Sequence, residues 1–284
     1  MENSINNLLE NEKLLTLVGV PNPLIALMAE KKGFKCLYVS GACVANHELG
    51  IPDLAMTSLD NVCYVVRNMR AVTNLPILVD ADTGWGGLLN VKRTVKQLVA
   101  SGASGLHIED QSFEKKCGHL DGKTLIPLSD MSHKISVAKE TAPEGFMVMA
   151  RTDALAVEGL EKTIERSKAY EKAGAGALFL EAAKSTNEFQ SVCSRVSIPV
   201  LANMTEFGKT PPLTDDELIN SGVKMKLYPL SLFRLMNKAA EDGLSELSDR
   251  KSFNAVLEKM QSRKDLYDLI EYDEYAKVIS KEVL

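Results

Sequence analysis

A closed (β/α)8 barrel of the TIM type, within the α/β class, is the fold this sequence predicts. Three observations predict it. Short apolar runs recur near residues 15–20, 36–40, 77–81, 105–109, 146–151, 177–181, 198–203 and 224–228, each with the length and composition of a parallel strand buried on both faces. Helical patterns separate these runs in single file, which favours closure over the alternative of an open doubly wound sheet. The 284 residues fit one such barrel, of about 250 residues, with extensions at its ends.

In chain order, residues 1–13 read as a short helix ahead of the first strand. Four strands follow a helix end closed by glycine: Gly33 before Cys36, Gly102 before Leu106, Gly174 before Ala177 and Gly222 before Met225. Glycine there supplies the left-handed residue that ends a helix. Two strands open on proline, at Pro76 and Pro199, where the missing donor costs least. Between strands, Ser58–Thr73 carries Leu59, Val62, Val65, Val66, Met69 and Val72 on one stripe, and Val91–Ala100 and Leu160–Lys172 repeat the spacing. The longest connection at the C-terminal ends of the strands, Gln111–Leu128, reads as an active-site lid. The barrel, with its N-terminal helix, is expected over 1–244. A helical extension is expected over 245–284, where Leu257, Met260, Leu266, Leu269 and Ile270 form an apolar face that has to cover the barrel or a neighbouring subunit.

Bulk properties exclude several classes. A net charge of -5 with no basic stripe argues against nucleic-acid binding. No apolar stretch approaches the roughly 20 residues that span a bilayer, so no membrane partner is expected. The polar, acidic start Met1–Asn7 does not read as a signal peptide. Five cysteines without close pairing fit a reducing, cytoplasmic compartment.

The chemistry gathers where the strands end, because those ends open on one face of a barrel. Asp80 and Asp82, with Glu109 at the next strand end, form a hard-oxygen set suited to Mg2+; an isolated Asp-x-Asp can also be a turn cap. Cys117 differs from the other cysteines: it lies in the lid between Lys116 and Gly118-His119, a setting suited to proton transfer. Arg151 and Arg234 offer planar forks for carboxylates, or ion pairs with neighbours such as Asp153 or Glu158. Ser40-Gly41 offers a hydroxyl and backbone donors to an anion, while Asn203 and Thr205 could donate to a carboxylate or cap a helix. His107, inside an apolar strand, reads as a core histidine.

These residues carry a resemblance. Lys115-Lys116-Cys117-Gly118-His119, supported by Asp80-Ala81-Asp82-Thr83-Gly84, His107-Ile108-Glu109-Asp110-Gln111, Arg151-Thr152-Asp153-Ala154, Asn203-Met204-Thr205-Glu206-Phe207-Gly208 and Tyr228-Pro229-Leu230-Ser231, resembles the isocitrate lyase and phosphoenolpyruvate mutase superfamily over nearly the whole chain. Within it the cysteine loop is similar to the methylisocitrate lyase branch. The resemblance implies an Mg2+-dependent enzyme, with Mn2+ as a possible substitute, that splits the tricarboxylate 2-methylisocitrate into pyruvate and succinate in propionate catabolism. It implies Asp80, Asp82 and Glu109 as metal site, Cys117 as general acid and Tyr38 as candidate hydroxyl base. It places Ser40, Gly41, Ala42, Gly118, His119, Arg151, Glu181, Asn203, Thr205, Arg234 and Arg263 around the substrate. It further implies a homotetramer that swaps C-terminal helices. Departures are Ala42 and Leu180, where that branch tends to have glycine and proline, and Lys116, where it often has arginine. The competing readings are a relative acting on isocitrate, oxaloacetate or a phosphonopyruvate-type compound, and a non-catalytic dicarboxylate binder.

Overall fold

The computed structural model describes residues 4–281; the ends of the expected N-terminal helix and C-terminal extension (residues 1–3 and 282–284) lie outside the described residues. Eight parallel strands, β1 (Leu15–Gly19), β2 (Cys36–Val39), β3 (Ile77–Asp80), β4 (Gly105–Glu109), β5 (Met147–Thr152), β6 (Ala177–Leu180), β7 (Val200–Asn203) and β8 (Met225–Tyr228), follow one another around a closed barrel. Closure comes from β1 pairing with β8, Leu15 opposite Met225 and Val18 opposite Tyr228. Every expected strand is present, with ends within two residues of the sequence reading.

Alternation along the strands divides the apolar residues into two cores. One set points outward against the helices, including Leu37, Ile77, Val79, Leu106, Val148, Leu178 and Val200. The other fills the barrel, with Leu17, Tyr38, Leu78, Met149, Phe179, Leu201 and Leu227. The helix Ile5–Asn11, capped by the Ser4 hydroxyl, drives Ile5 into that interior and plugs the N-terminal end of the barrel. The opposite mouth of the barrel is left open to polar groups.

The expected helical stripes are present as Leu59–Arg70, Leu88–Ala100 and Leu160–Lys172. Ser58 begins the first with a reciprocal capping box to Asn61. After β8, one helix runs Ser231–Arg250, straight across position 244, and is followed by a 3-10 segment and the helices Arg263–Leu269 and Tyr272–Lys281. None of these last elements has a buried residue where burial is described, and Leu235, Leu244, Leu257, Tyr275, Val278 and Ile279 are all more than half exposed. Among the described residues no helix is long and apolar enough to cross a membrane.

Candidate active site

The same alternation that fills the barrel turns Asp80, His107, Glu109, Arg151, Phe179, Glu181 and Asn203 toward its axis. The register sets Asp80 beside His107, and Glu109 beside Arg151 beside Phe179. The backbone leaves the strands sharply here. Asp82 and Ala182 adopt left-handed φ of 46° and 58°, conformations that non-glycine residues hold only where the surroundings enforce them. Ser40 starts a short helical turn with its hydroxyl toward the Cys43 N–H, and the chain continues as a π-helix over Val44–Glu48.

Arg151 is the hub. Its guanidinium lies 3.0 Å from Asp153, 3.1 Å from Glu181 and 3.3 Å from Glu109, and 5.1 Å from the Phe179 ring centroid. Burial disfavours its charge, yet the carboxylates outweigh this and hold it protonated. The suggested Asp153 partner is confirmed, whereas Glu158 pairs with Arg166 instead, at 2.7 Å. For Glu181, burial is likewise outweighed, by Arg151 and His119, and its carboxyl falls to about 2. The Lys209 N–H donates to His119 Nδ1 at 2.9 Å, so Nε2 carries the proton toward Glu181, also at 2.9 Å.

Asp80 accepts from the Asp82 N–H and the Gly41 N–H, both at 3.0 Å, so the Gly41 donor is committed to a side chain. Burial works against ionised Asp80, but neighbouring cations lower it. His107 is itself pushed down by burial to about 4, so Lys115 and Arg151 are the cations that count at neutral pH. Tyr38 lies 2.9 Å from His107 and 3.5 Å from Asp80. Burial and Asp80 push its phenol well above the ordinary value. It keeps its proton, which suits a hydrogen-bond donor and not a phenolate base.

The lid connection, with its feet at Gln111 and Leu125 paired, is folded over this mouth. Gln111 clamps it by bonding both the N–H and the C=O of Lys116, at 3.0 and 2.9 Å. Lys123 donates to the Gly118 carbonyl and sits 3.1 Å from Asp153. Lys115 bonds Asp53 and lies 2.8 Å from Asp82. Gln111, Lys123, Lys115 and Asp53 were not singled out in the sequence as site residues. Lid and mouth enclose a cavity of about 60 Å³ lined by Tyr38, Ser40, Ala42, Asp80, Cys117, Gly118, His119, Arg151, Glu181, Asn203 and Thr205 among others. That holds a few waters, so a tricarboxylate needs the mouth to widen.

Asp82, Glu109 and Gly41 stand just behind that lining: Asp82 against Lys115, Glu109 against Arg151, Gly41 against Asp80. Asp82 Oδ1 and Glu109 Oε1 are buried without a hydrogen-bond donor in proper alignment. Among the described residues no three acidic, histidine or cysteine side chains form a ready metal cage. Besides Gly41, two more of the expected substrate contacts do not reach the cavity. Arg234 is 42% exposed, stacks on Phe207 and approaches Glu206 at 4.0 Å; Arg263 is exposed at the start of its helix.

Gly118 is where lid and mouth press closest. A Cβ there would lie 2.4 Å from the Arg151 guanidinium and 2.5 Å from Glu181 Cγ. Gly118→Ala is expected to leave far-UV circular dichroism unchanged while kcat/KM falls on the order of 100-fold, since misplacement of about 1 Å costs that much. Unchanged kinetics would show that the lid does not seat this way during turnover.

Comparison with known proteins agrees with this geometry. Residues 5–248 match the phosphoenolpyruvate phosphomutase family. The chain is 46% identical over 270 residues to 2-methylisocitrate lyase of Escherichia coli strain K12, covering 94% of this chain and 91% of that one. It superposes with a TM-score of 0.91 and 30% identity on an oxaloacetate acetylhydrolase bound to 3,3-difluorooxalacetate, covering 98% and 96% of the two chains. A phosphonopyruvate hydrolase solved with oxalate and Mg2+ gives 0.86 at 26% identity, over 97% and 96%. The chain belongs to the phosphoenolpyruvate mutase and isocitrate lyase superfamily.

Proposed function

We propose that this protein is a carbon–carbon lyase that splits 2-methylisocitrate into pyruvate and succinate with the help of Mg2+. One observation carries the reading: a single cavity is lined by a lid cysteine, an aspartate of the Asp80/Asp82 pair and the Arg151 hub. The identity to 2-methylisocitrate lyase over nearly the whole chain supports the substrate.

A basic group of the mouth takes the substrate hydroxyl proton, the adjacent C–C bond breaks as a carbonyl forms, and the electron pair is left on a carbon next to a carboxylate. Cys117 donates its thiol proton to that carbon, completing succinate. Arg151, His119, Asn203 and Thr205 hold substrate carboxylates as charge grows on them, with Ser40 and the Gly118 backbone shaping the pocket. Tyr38 and the Gly41 N–H orient Asp80. Closure of the lid brings Cys117 to the carbon and excludes water.

The donor set fits Mg2+. The oxygens are hard and buried, two lack aligned donors, and Mg2+ takes few carboxylates while keeping waters. Asp80 and Asp82 would hold the ion, with Glu109 reached directly or through water. When bound, it supplies positive charge for the oxygens of the pyruvate half. Mn2+ shares this preference and is proposed as a substitute.

The exposed apolar faces after Ser231 support a homotetramer in which neighbouring subunits cover one another's C-terminal helices, and such a neighbour would bring arginines such as Arg263 toward a mouth. On this reading residues 1–244 form the catalytic barrel and 245–284 the exchanged extension. Five free cysteines support a reducing cytoplasm and a place in propionate catabolism is consistent with the substrate.

Mixing purified protein, Mg2+ and 2-methylisocitrate should release pyruvate with a kcat of about 1 s⁻¹ or more, and EDTA should abolish it. The likeness to an oxaloacetate acetylhydrolase favours a second reading, an oxaloacetate-type substrate. A panel of 2-methylisocitrate, isocitrate, oxaloacetate and phosphonopyruvate separates them. Highest kcat/KM on oxaloacetate would displace the first reading, and binding of all four without turnover would replace both with a dicarboxylate binder.

A further inference from the structure

Lys115 is an unusual lid residue. It is 4% exposed, lies 2.8 Å from Asp82 Oδ1, and also bonds Asp53 from the loop before the Leu59–Arg70 helix. Burial opposes an ammonium there. Asp82, Glu109, Asp80 and Asp53 together outweigh that penalty and keep it charged. No other cation approaches Asp82 in any described ion pair; Arg151 engages Glu109, Asp153 and Glu181, and Lys123 engages Asp153. The ammonium therefore sits at the focus of the carboxylates that point into the mouth. A divalent cation drawn to the same oxygens meets a like charge at contact distance, and both cannot occupy Asp82 without one yielding.

We propose that the Lys115 ammonium is a built-in competitor for the divalent cation at Asp82, so that cation entry dislodges the Lys115 end of the lid. This rests on the proposed reading of Asp80 and Asp82 as cation ligands. The lid then closes over an empty site on its own lysine and is released when the cation arrives, two residues from Cys117. Order follows from the coupling: the ion enters first and opens the way for the larger organic substrate. By linkage, whatever fastens Lys115 to Asp82 weakens the cation, and the cation loosens Lys115 by the same factor.

The molecule carries its own probe. Trp85 is its single tryptophan; its Nε1 donates to the Thr57 carbonyl at 3.0 Å, and the Thr57 hydroxyl reaches Asp82 at 3.3 Å. Trp85 fluorescence, titrated with MnCl2, reads cation binding in wild type and in Lys115→Met, Lys115→Gln, Lys115→Arg and Lys123→Met, each checked for fold by far-UV circular dichroism. Lys115→Met and Lys115→Gln are expected to bind Mn2+ at least ~10-fold tighter than wild type. Lys115→Arg should stay within ~3-fold. So should Lys123→Met, which removes the same charge from the same mouth without touching Asp82. The rate of iodoacetamide alkylation at Cys117, read from the mass of its peptide, gives the lid: Mn2+ should raise it several-fold in wild type and leave it unchanged in Lys115→Met, already fast without the ion. Equal affinity in wild type and both neutral variants, or equal tightening in Lys123→Met, overturns the competitor while leaving the cation site standing. Absence of any Mn2+ response in every protein removes the cation site, and the inference with it.

Discussion

Cys117→Ser is expected to lower kcat for pyruvate release by roughly 10²–10⁴-fold, the span that a positioned general acid contributes. A hydroxyl is a much weaker acid than a thiol, so the carbanion left by bond cleavage loses its proton source while the shape of the site is preserved. The lid turn does not depend on the sulfur. The Leu120 N–H donates 2.9 Å to the backbone carbonyl of Cys117, and Gln111 holds Lys116 through its main chain. KM should therefore move by less than ~3-fold, and the melting temperature by no more than a surface-like change, within about 0.5 kcal/mol of stability. The split between kcat and KM is the diagnostic, because loss of an interaction made only in the transition state appears in kcat. A variant that keeps kcat within a factor of about three would remove Cys117 from the chemistry and leave it as a lid residue in contact with the cavity.

Why so much of this was legible in the sequence follows from burial. A parallel strand covered on both faces is apolar almost throughout, so β3 to β7 stand out as apolar runs, broken only by His107 in β4, and the polar residue that ends each one marks the mouth. Glycines such as Gly33, Gly102, Gly174 and Gly222 all take φ between 83° and 99°, as a helix-ending position requires. Closure was not written in any local pattern, since it lies in the pairing of Leu15 with Met225 across the length of the barrel. The lid announced itself by length, but its seating depends on partners far away in the chain: Lys115 with Asp53, Lys123 with Asp153, and His119 with the Lys209 N–H. Charged residues in a loop carry no local sign of whether they face water or a buried carboxylate. His107 illustrates the same limit. It is a core histidine, as its apolar neighbours imply, and it also touches the phenol that approaches Asp80. Arg234 and Arg263 mark the other boundary, because a single chain does not carry either into the cavity.

Arg151→Met is expected to destabilise the fold by about 3–5 kcal/mol, the cost of breaking a buried ion network from one side. The methionine replaces the stem but not the guanidinium over Phe179, and Glu109, Asp153 and Glu181, each 1% exposed or less, are left buried around a neutral chain. At 2–4 °C per kcal/mol the melting temperature should fall on the order of 10 °C. Arg151→Lys should recover only part, since one ammonium cannot reproduce a fork that faces three carboxylates. Acid titration gives an independent readout. Glu181 is held at about 2, below the ~4.3 of an unfolded glutamate, so its contribution is complete above the unfolded value and is lost as pH falls through the folded one. Without Arg151 the folded value rises toward or past the unfolded one, and the loss of stability between about pH 4 and pH 2 should shrink relative to wild type. Equal acid limbs in the two proteins would mean that His119 and Lys123, not the guanidinium, hold Glu181 ionised. Activity should vanish in either case, because the same fork that steadies the three carboxylates is, among the described residues, the only arginine lining the cavity.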